Sequence, residues 1–218
     1  MQLNAAIRRS FSQRFDTIRQ LSAKMLVPEE DRWKLSIKDL VVGGFLRFED
    51  KTWTVQRAGN YFEFSDNFKQ KKKYNWNEIR LFCIETGETK NIEWEIDDEI
   101  EITITTHELD FRALRDDEGE EIDEDDLDEM SDKQWSIFFQ DKEFRYDDDY
   151  AAKYYRDFVI EDGEKVYLYD FKSDDNRIIT IEEWDSGSGK ESYEIYISRI
   201  ASEDEFEILA KGVDAGNG

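Results

Sequence analysis

The chain has 218 residues, of which 54 are Asp or Glu and 30 are Lys or Arg, so its formal net charge is -24. Proteins that hold nucleic acids need basic side chains to displace counterions from phosphates, and this charge balance therefore excludes DNA or RNA as a direct ligand. Aromatic residues make up 14% of the chain and supply the bulky apolar groups of a folded core, although 39% of the residues are charged.

The chain has one cysteine, Cys83, and one histidine, His107. A single cysteine excludes an intramolecular disulfide and a cysteine-based zinc site. The chain therefore does not need an oxidising compartment in order to fold. No stretch approaches the roughly 20 apolar residues of a membrane span, and residues 1–27 are charged too often for a secretory leader. We therefore predict a cytoplasmic protein with no cofactor, no metal site and no transmembrane segment.

Residues 1–27 form the first predicted element, an amphipathic helix. Its apolar residues fall within an arc of about 120° at helical spacing, and they are Leu3, Ile7, Phe11, Phe15, Ile18, Leu21 and Met25. Five basic side chains against one acidic side chain give this segment a net charge of +4, whereas the whole chain carries -24. Pro28 ends the helix, because the residue before a proline is disfavoured in helical geometry.

The predicted helix suits two kinds of partner. Basic side chains beside apolar ones suit an anionic membrane surface, where each Lys or Arg contributes about 1 kcal/mol. The apolar face also suits a groove on a protein partner, or the remainder of the same chain. The residues that we predict to make these contacts are Ile7, Arg8, Arg9, Phe11, Phe15, Ile18, Arg19 and Lys24.

After residue 28 the pattern changes to period two, with frequent turn residues between short runs. Ile92, Trp94 and Ile96, for example, alternate with Glu93 and Glu95, which predicts strands with one apolar face and one wet face. We predict a mainly β (α+β) fold of antiparallel β-sheets or small barrel-like lobes, with the N-terminal helix and short helices. The β-rich domain is predicted to span 28–211, as one domain or as two lobes (33–110 and 136–211), before a flexible tail at 212–218.

An acidic segment at 116–132 joins the two predicted lobes, and twelve of its seventeen residues are Asp or Glu. It predicts a solvated loop followed by a short helix over 123–135 that presents Leu127 and Met130. Weak calcium or magnesium binding is the alternative, although the order of ligands in a calcium loop is missing. Among 54 carboxylates no acid and base pair stands out, and the chain has no glycine-rich phosphate loop, so we predict that it is not an enzyme.

Several segments follow one another in a familiar order. Residues 37–42 precede a strand, turn and strand over 45–55, and the chain continues with Trp76-Asn77-Glu78, Ile92-Glu93-Trp94, Phe144-Arg145-Tyr146, Ala151-Ala152, 164–171, 174–176 and Ile181-Glu182-Glu183-Trp184. This order resembles the bacterial domain of unknown function four-one-seven-eight over about residues 33–210. Such proteins tend to be encoded beside phage-shock-protein-like membrane-stress components and spermidine-synthase-like proteins. The resemblance therefore implies an accessory role in an envelope-stress or polyamine-linked system, and it brings no catalytic residues.

Three functions fit these observations. The first is a non-enzymatic accessory or adaptor protein of a bacterial membrane-stress or polyamine-linked system, which the N-terminal helix recruits to a protein partner or, as a peripheral protein, to the inner membrane. The second is an acidic cation- or polyamine-binding module that uses the acidic segment and the strand faces. The third is an acidic mimic of DNA that captures a basic protein.

Overall fold

The computed structural model describes residue 18 and residues 26–97, 99–158, 163–185 and 191–212. These residues are mainly antiparallel β-structure, which confirms the mainly β, antiparallel part of the predicted fold. The α-helices among them are short, namely α1 (Glu29–Arg32) and α2 (Leu127–Lys133). The helix predicted over 1–27 lies outside the described residues, apart from Ile18, Leu26 and Val27.

Eleven strands make up the described β-structure. They are β1 (Phe45–Phe48), β2 (Lys51–Phe64), β3 (Lys71–Cys83), β4 (Thr89–Ile96), β5 (Ile100–Leu109), β6 (Ser136–Phe139), β7 (Lys142–Arg156), β8 (Glu164–Lys172), β9 (Arg177–Asp185), β10 (Glu191–Ala201) and β11 (Glu207–Ala210). The chain divides into two compact units, each of which is discontinuous in sequence. The first unit comprises residues 1–58, 79–92 and 201–218, and the second comprises residues 59–78 and 93–200.

The first unit contains β1, which pairs antiparallel with β2 on one side and with β11 on the other. Its core is aromatic. Trp53 is fully buried, and its indole Nε1 donates a hydrogen bond to the carbonyl oxygen of Phe48 at 3.1 Å. The Phe48 ring stacks on Phe206, with the ring centroids 5.1 Å apart.

Eight strands close into an antiparallel barrel, and most of their residues belong to the second unit. The strands follow the order β2-β3-β4-β5-β10-β9-β8-β7, and β7 pairs back with β2. Tyr61 lies opposite Tyr154 in this closing pair. Closure removes the free sheet edges and gives every barrel strand an inner face and an outer face.

The outer face of the barrel packs against the acidic segment. Ile179, Ile181, Ile195 and Ile197 lie on β9 and β10, and they share one buried cluster with side chains from α2, β6 and the segment before α2, namely Ile122, Leu127, Met130 and Ile137. Helix α2 lies within the predicted short helix and presents Leu127 and Met130, and the structure adds that both are buried in this core. At these positions the outer face of β9 and β10 is thus apolar and covered.

The inner face carries the polar residues of the same strands. Because side chains alternate between faces along a strand, Thr180, Glu182 and Trp184 point inward where Ile179 and Ile181 point outward. The sequence pattern predicts that the polar face meets solvent. For Glu182 this prediction is wrong, because closure of the barrel turns that face inward and buries its side chain.

Candidate functional site

Aromatic rings cross the barrel interior and hold its opposite walls together. The Tyr61 ring stacks parallel to the Trp76 ring with centroids 4.8 Å apart. Tyr61 also contacts Tyr154 at 4.7 Å and Trp184 at 6.4 Å between ring centroids. Since β2 and β9 are not neighbouring strands, the contact between Tyr61 and Trp184 spans the interior.

Two carboxyl groups are buried among these rings. Glu78 is 2% exposed and Glu182 is 3% exposed. The Tyr154 hydroxyl donates to Glu78 Oε1 at 3.2 Å, while Glu182 accepts from the Tyr61 hydroxyl at 3.4 Å and from Trp184 Nε1 at 3.1 Å. Neutral donors satisfy the hydrogen bonds of Glu182 without supplying an opposite charge, so its ionised form is costly.

A third carboxyl group, Glu93, completes what we call the interior carboxyl cluster (Glu78, Glu93 and Glu182). Burial raises the pKa of Glu93 to about 8, the carboxylates of Glu78 and Asp170 add to the rise, and a hydrogen bond from Trp76 opposes it. Burial also raises the pKa of Glu182 well above its ordinary value, with Glu93 and Glu78 adding to the rise. Glu93 therefore favours the protonated acid near neutral pH, and the shift of Glu182 acts in the same direction.

A pocket of about 160 Å³ opens next to the cluster, at the barrel end formed by the turns between β4 and β5 and between β8 and β9. We call it the acidic–aromatic pocket. Its acidic lining consists of Glu93, Glu95, Glu101 and Asp170, and its aromatic lining consists of Tyr74, Trp76, Trp94 and Tyr150. Among the described residues that line it, Lys172 alone is basic.

One oxygen atom in the lining lacks a donor. Glu95 Oε2 is buried, and no hydrogen-bond donor reaches it from the described residues. Burial raises the pKa of Glu95, the nearby Glu101 and Asp97 add to the rise, and Lys172 opposes it. Since buried polar atoms in native proteins are nearly always hydrogen-bonded to protein or to ordered water, this oxygen can accept a hydrogen bond from a water molecule or from a ligand that donates.

Asp170 and Lys172 extend the acidic–aromatic pocket towards a second one of about 360 Å³, and both residues line both pockets. Asp170 is held by two neutral donors, the Tyr150 hydroxyl at 2.9 Å and the Thr180 hydroxyl at 2.6 Å. Lys172 Nζ lies 2.7 Å from Asp147 Oδ2, a carboxylate of the second pocket. The Lys172 ammonium group therefore lies at the rim, in an acidic groove.

Residues 41–203 match the family described as Domain of unknown function (DUF4178). The match covers more than half of the chain. The chain therefore belongs to the DUF4178 family, which confirms the resemblance drawn from the sequence. No curated protein and no solved structure matches it.

The DUF4178 region includes the whole barrel with its acidic–aromatic pocket, because the match begins before β1 and ends after β10. The contact residues predicted on the N-terminal helix precede this region. Ile7, Arg8, Arg9, Phe11, Phe15, Arg19 and Lys24 lie outside the described residues, whereas Ile18 is described and is 50% exposed. The contacts predicted for these residues therefore stay a prediction, and the acidic–aromatic pocket is a separate candidate site inside the barrel.

The acidic segment of this DUF4178 chain uses carboxylates to stabilise its own turns. Asp116 Oδ1 accepts hydrogen bonds from the backbone of Glu118 and Glu120, and Asp123 Oδ1 accepts one from the backbone of Asp125. Within the described ranges, no group of three or more His, Cys, Asp or Glu side chains is arranged to hold a metal ion. Of the helices that the structure describes, none has the length and apolar character needed to cross a bilayer.

Proposed function

We propose that the barrel is a binding module for a small organic cation, an alkylammonium ion of the polyamine class, which occupies the acidic–aromatic pocket. This is the second function predicted from the sequence, which used the acidic segment and the strand faces, with its site now limited to the inner strand faces of the barrel. The observation that carries the proposal is the buried, unpaired Glu95 Oε2 on a wall that aromatic rings and other carboxyl groups share. An ammonium group supplies the donor that this oxygen lacks.

The lining matches the chemistry of an alkylammonium ion rather than that of a hard metal ion. Aromatic faces such as those of Trp76 and Tyr74 attract an organic cation through their electron-rich rings, and the carboxylates accept its N–H bonds with charge assistance. Ile178 offers apolar contact for the alkyl part. Calcium needs six to eight oxygen ligands, whereas four of the eleven lining residues are aromatic.

We propose binding without catalysis. The described lining of the acidic–aromatic pocket contains no serine, cysteine or histidine that a neighbouring base would activate as a nucleophile. Cys83 is buried and belongs to the first unit, and His107 is exposed on β5 and does not line the pocket. A binding module accords with an accessory role in a membrane-stress or polyamine-linked system.

Titration calorimetry with 1,4-diaminobutane and with spermidine tests the proposal. We expect saturable heat that persists at about 0.15 M salt, because the Debye length of about 8 Å screens a diffuse counterion atmosphere more than a contact inside a pocket. Replacing Glu95→Gln removes a charged acceptor and is expected to weaken binding about tenfold or more. Heat that vanishes at 0.15 M salt in every variant would contradict the proposal.

Two further variants test whether the effect is specific to the pocket. Lys172→Met removes the rim ammonium group that competes for the same carboxylates, so we expect binding to tighten about threefold at low salt. Glu118→Gln removes an exposed carboxylate outside the pocket, so we expect no change. Equal effects of Glu95→Gln and Glu118→Gln would mean that the protein responds only to net charge.

Recruitment through the N-terminal segment is a second proposal. One described residue favours it, because Ile18 lies on the predicted apolar arc and is half exposed. We expect the wild type to sediment with anionic liposomes and the double variant Phe11→Asp and Phe15→Asp to stay in the supernatant. With neutral liposomes, we expect both the wild type and the variant to stay in the supernatant. The far-ultraviolet circular dichroism of the β-structure serves as the control, and loss of that signal in the variant would assign these phenylalanines to the fold instead.

A further inference from the structure

Glu93 connects the interior carboxyl cluster with the acidic–aromatic pocket. Of the three members of the cluster, Glu93 alone lines the pocket. It is partly exposed there, whereas Glu78 and Glu182 are buried behind it. A ligand in the pocket therefore contacts Glu93 before it influences the rest of the cluster.

The groups around Glu93 come from every neighbouring wall of the barrel. The inner faces contribute Glu78 from β3, Asp170 and Lys172 from β8, and Glu182 from β9, and Tyr150 from β7 adds a neutral hydroxyl. Glu95 and Glu101 also line the pocket, while Glu194 and Tyr196 from β10 face Glu182. Lys172, the basic group of this set, is held by Asp147 at 2.7 Å. Glu93 is thus surrounded mainly by acids.

Resting on the proposed function, we infer that the pocket exchanges a proton for its cation: Glu93 holds a proton while the pocket is empty and releases it when an ammonium ion lies against it. The exchange balances in charge and atoms. The neutral acid and the ammonium ion become a carboxylate–ammonium pair, and the proton passes to the buffer. The proton is then a second ligand of the same site, and it competes with the organic cation.

The physical reason is the change of charge beside Glu93. In the empty pocket, burial and the carboxylates of Glu78 and Asp170 raise its pKa to about 8. An ammonium ion within a few ångströms favours the ionised form and lowers that pKa. Because linkage is reciprocal, the proton weakens cation binding as much as the cation weakens proton binding. Cation affinity is therefore expected to fall about tenfold for each pH unit below 7.5.

Calorimetry of the full chain with 1,4-diaminobutane tests the exchange. The titration is run at pH 7 in phosphate and in a second buffer that has a larger ionisation enthalpy and does not compete with the amine for the pocket. The difference between the two binding heats gives the number of protons released. With a pKa of about 8, we expect about 0.9 protons per bound ligand at pH 7. Identical heats in the two buffers, with clear binding in both, would overturn the exchange and leave the proposed function standing.

Variants assign the proton to its residue. Glu93→Gln keeps the shape of the protonated acid, so we expect this protein to fold, to bind more weakly, and to release fewer than about 0.2 protons. Glu101→Gln removes an exposed carboxyl group from the same pocket and is expected to retain the release. Release that persists in Glu93→Gln contradicts the assignment to Glu93.

An infrared measurement gives an independent readout. The carbonyl band of a protonated carboxylic acid is expected in the ligand-free protein at pH 7, and part of it is expected to disappear when 1,4-diaminobutane is added. The fraction of the band that disappears in the wild type should be absent from the Glu93→Gln spectrum both before and after the ligand is added. Absence of binding at every pH from 6 to 9 would instead mean that the proposed function itself fails.

Discussion

Stability is expected to fall by about 2 kcal/mol as the pH rises from 5 to 8, and Glu93→Gln is expected to remove most of this loss. Burial raises the pKa of Glu93 from 4.5 to about 8, so the folded protein binds this proton more tightly than the unfolded chain does. The stabilisation is complete below the unfolded value of 4.5 and is lost as the pH rises towards 8. The full shift corresponds to at most about 3.5 kcal/mol over this range, and water in the pocket screens part of it.

Urea unfolding at pH 5, 6, 7 and 8, followed by tryptophan fluorescence, measures this loss. Glu182, whose pKa burial also raises, acts in the same direction, so the double variant Glu93→Gln and Glu182→Gln is expected to give the flattest profile. Glu118→Gln controls for the general repulsion of a chain with a net charge of -24, because Glu118 is exposed. Parallel pH profiles for Glu93→Gln and Glu118→Gln would show that Glu93 ionises in the folded protein as easily as in the unfolded chain.

Trp76→Ala is expected to destabilise the protein by about 3–5 kcal/mol and to abolish cation binding. Trp76 is buried, stacks on Tyr61 at 4.8 Å, meets the edge of Tyr150 at 5.7 Å and donates a hydrogen bond to Glu93. Its loss would leave a cavity between opposite walls of the barrel and remove an aromatic face from the pocket. Urea unfolding followed by circular dichroism gives the free energy without relying on the fluorescence of the residue removed.

Two variants make this result interpretable. Trp76→Phe keeps a stacking ring but no donor, so we expect it to recover part of the stability and to bind the cation more weakly than the wild type does. Trp33 is 79% exposed, and Trp33→Ala is expected to change stability by less than about 0.5 kcal/mol. Equal free energies for Trp76→Ala and Trp33→Ala would contradict the role of Trp76 in the barrel core.

Much of the local structure follows from the sequence alone. Period-two alternation predicted the strands, because the two faces of a strand show directly in the order of residues, as in Ile92, Glu93 and Trp94. The sequence of residues 123–135 predicted a short helix, and α2 lies within this range. Residues 116–132 hold so many carboxylates that their few apolar side chains stand out, but the sequence did not predict that two of them, Leu127 and Met130, are buried in a core.

The candidate site was not predictable in the same way. Glu93, Glu95 and Glu182 are three of 54 acidic residues, and their spacing along the chain is the ordinary alternation of a strand with one wet face. No local pattern distinguishes a carboxyl group that faces water from one that faces the inside of a barrel. The unpaired Glu95 oxygen is likewise a property of its surroundings in space.

The sequence by itself determined the acidic, mainly β character of the chain, its strands and its DUF4178 family. Only the tertiary structure decided which face of each strand is inside. That decision depends on pairing between distant segments, such as Tyr61 with Tyr154 in the closing strands and the hydrogen bond from Tyr61 to Glu182. Once those strands pair, the apolar face packs beneath the acidic segment, and the polar face encloses Glu93 and Glu182. Barrel closure pairs strands that are far apart in the sequence. Alternation along the chain therefore separates the two faces of a strand but does not show which of them is inside.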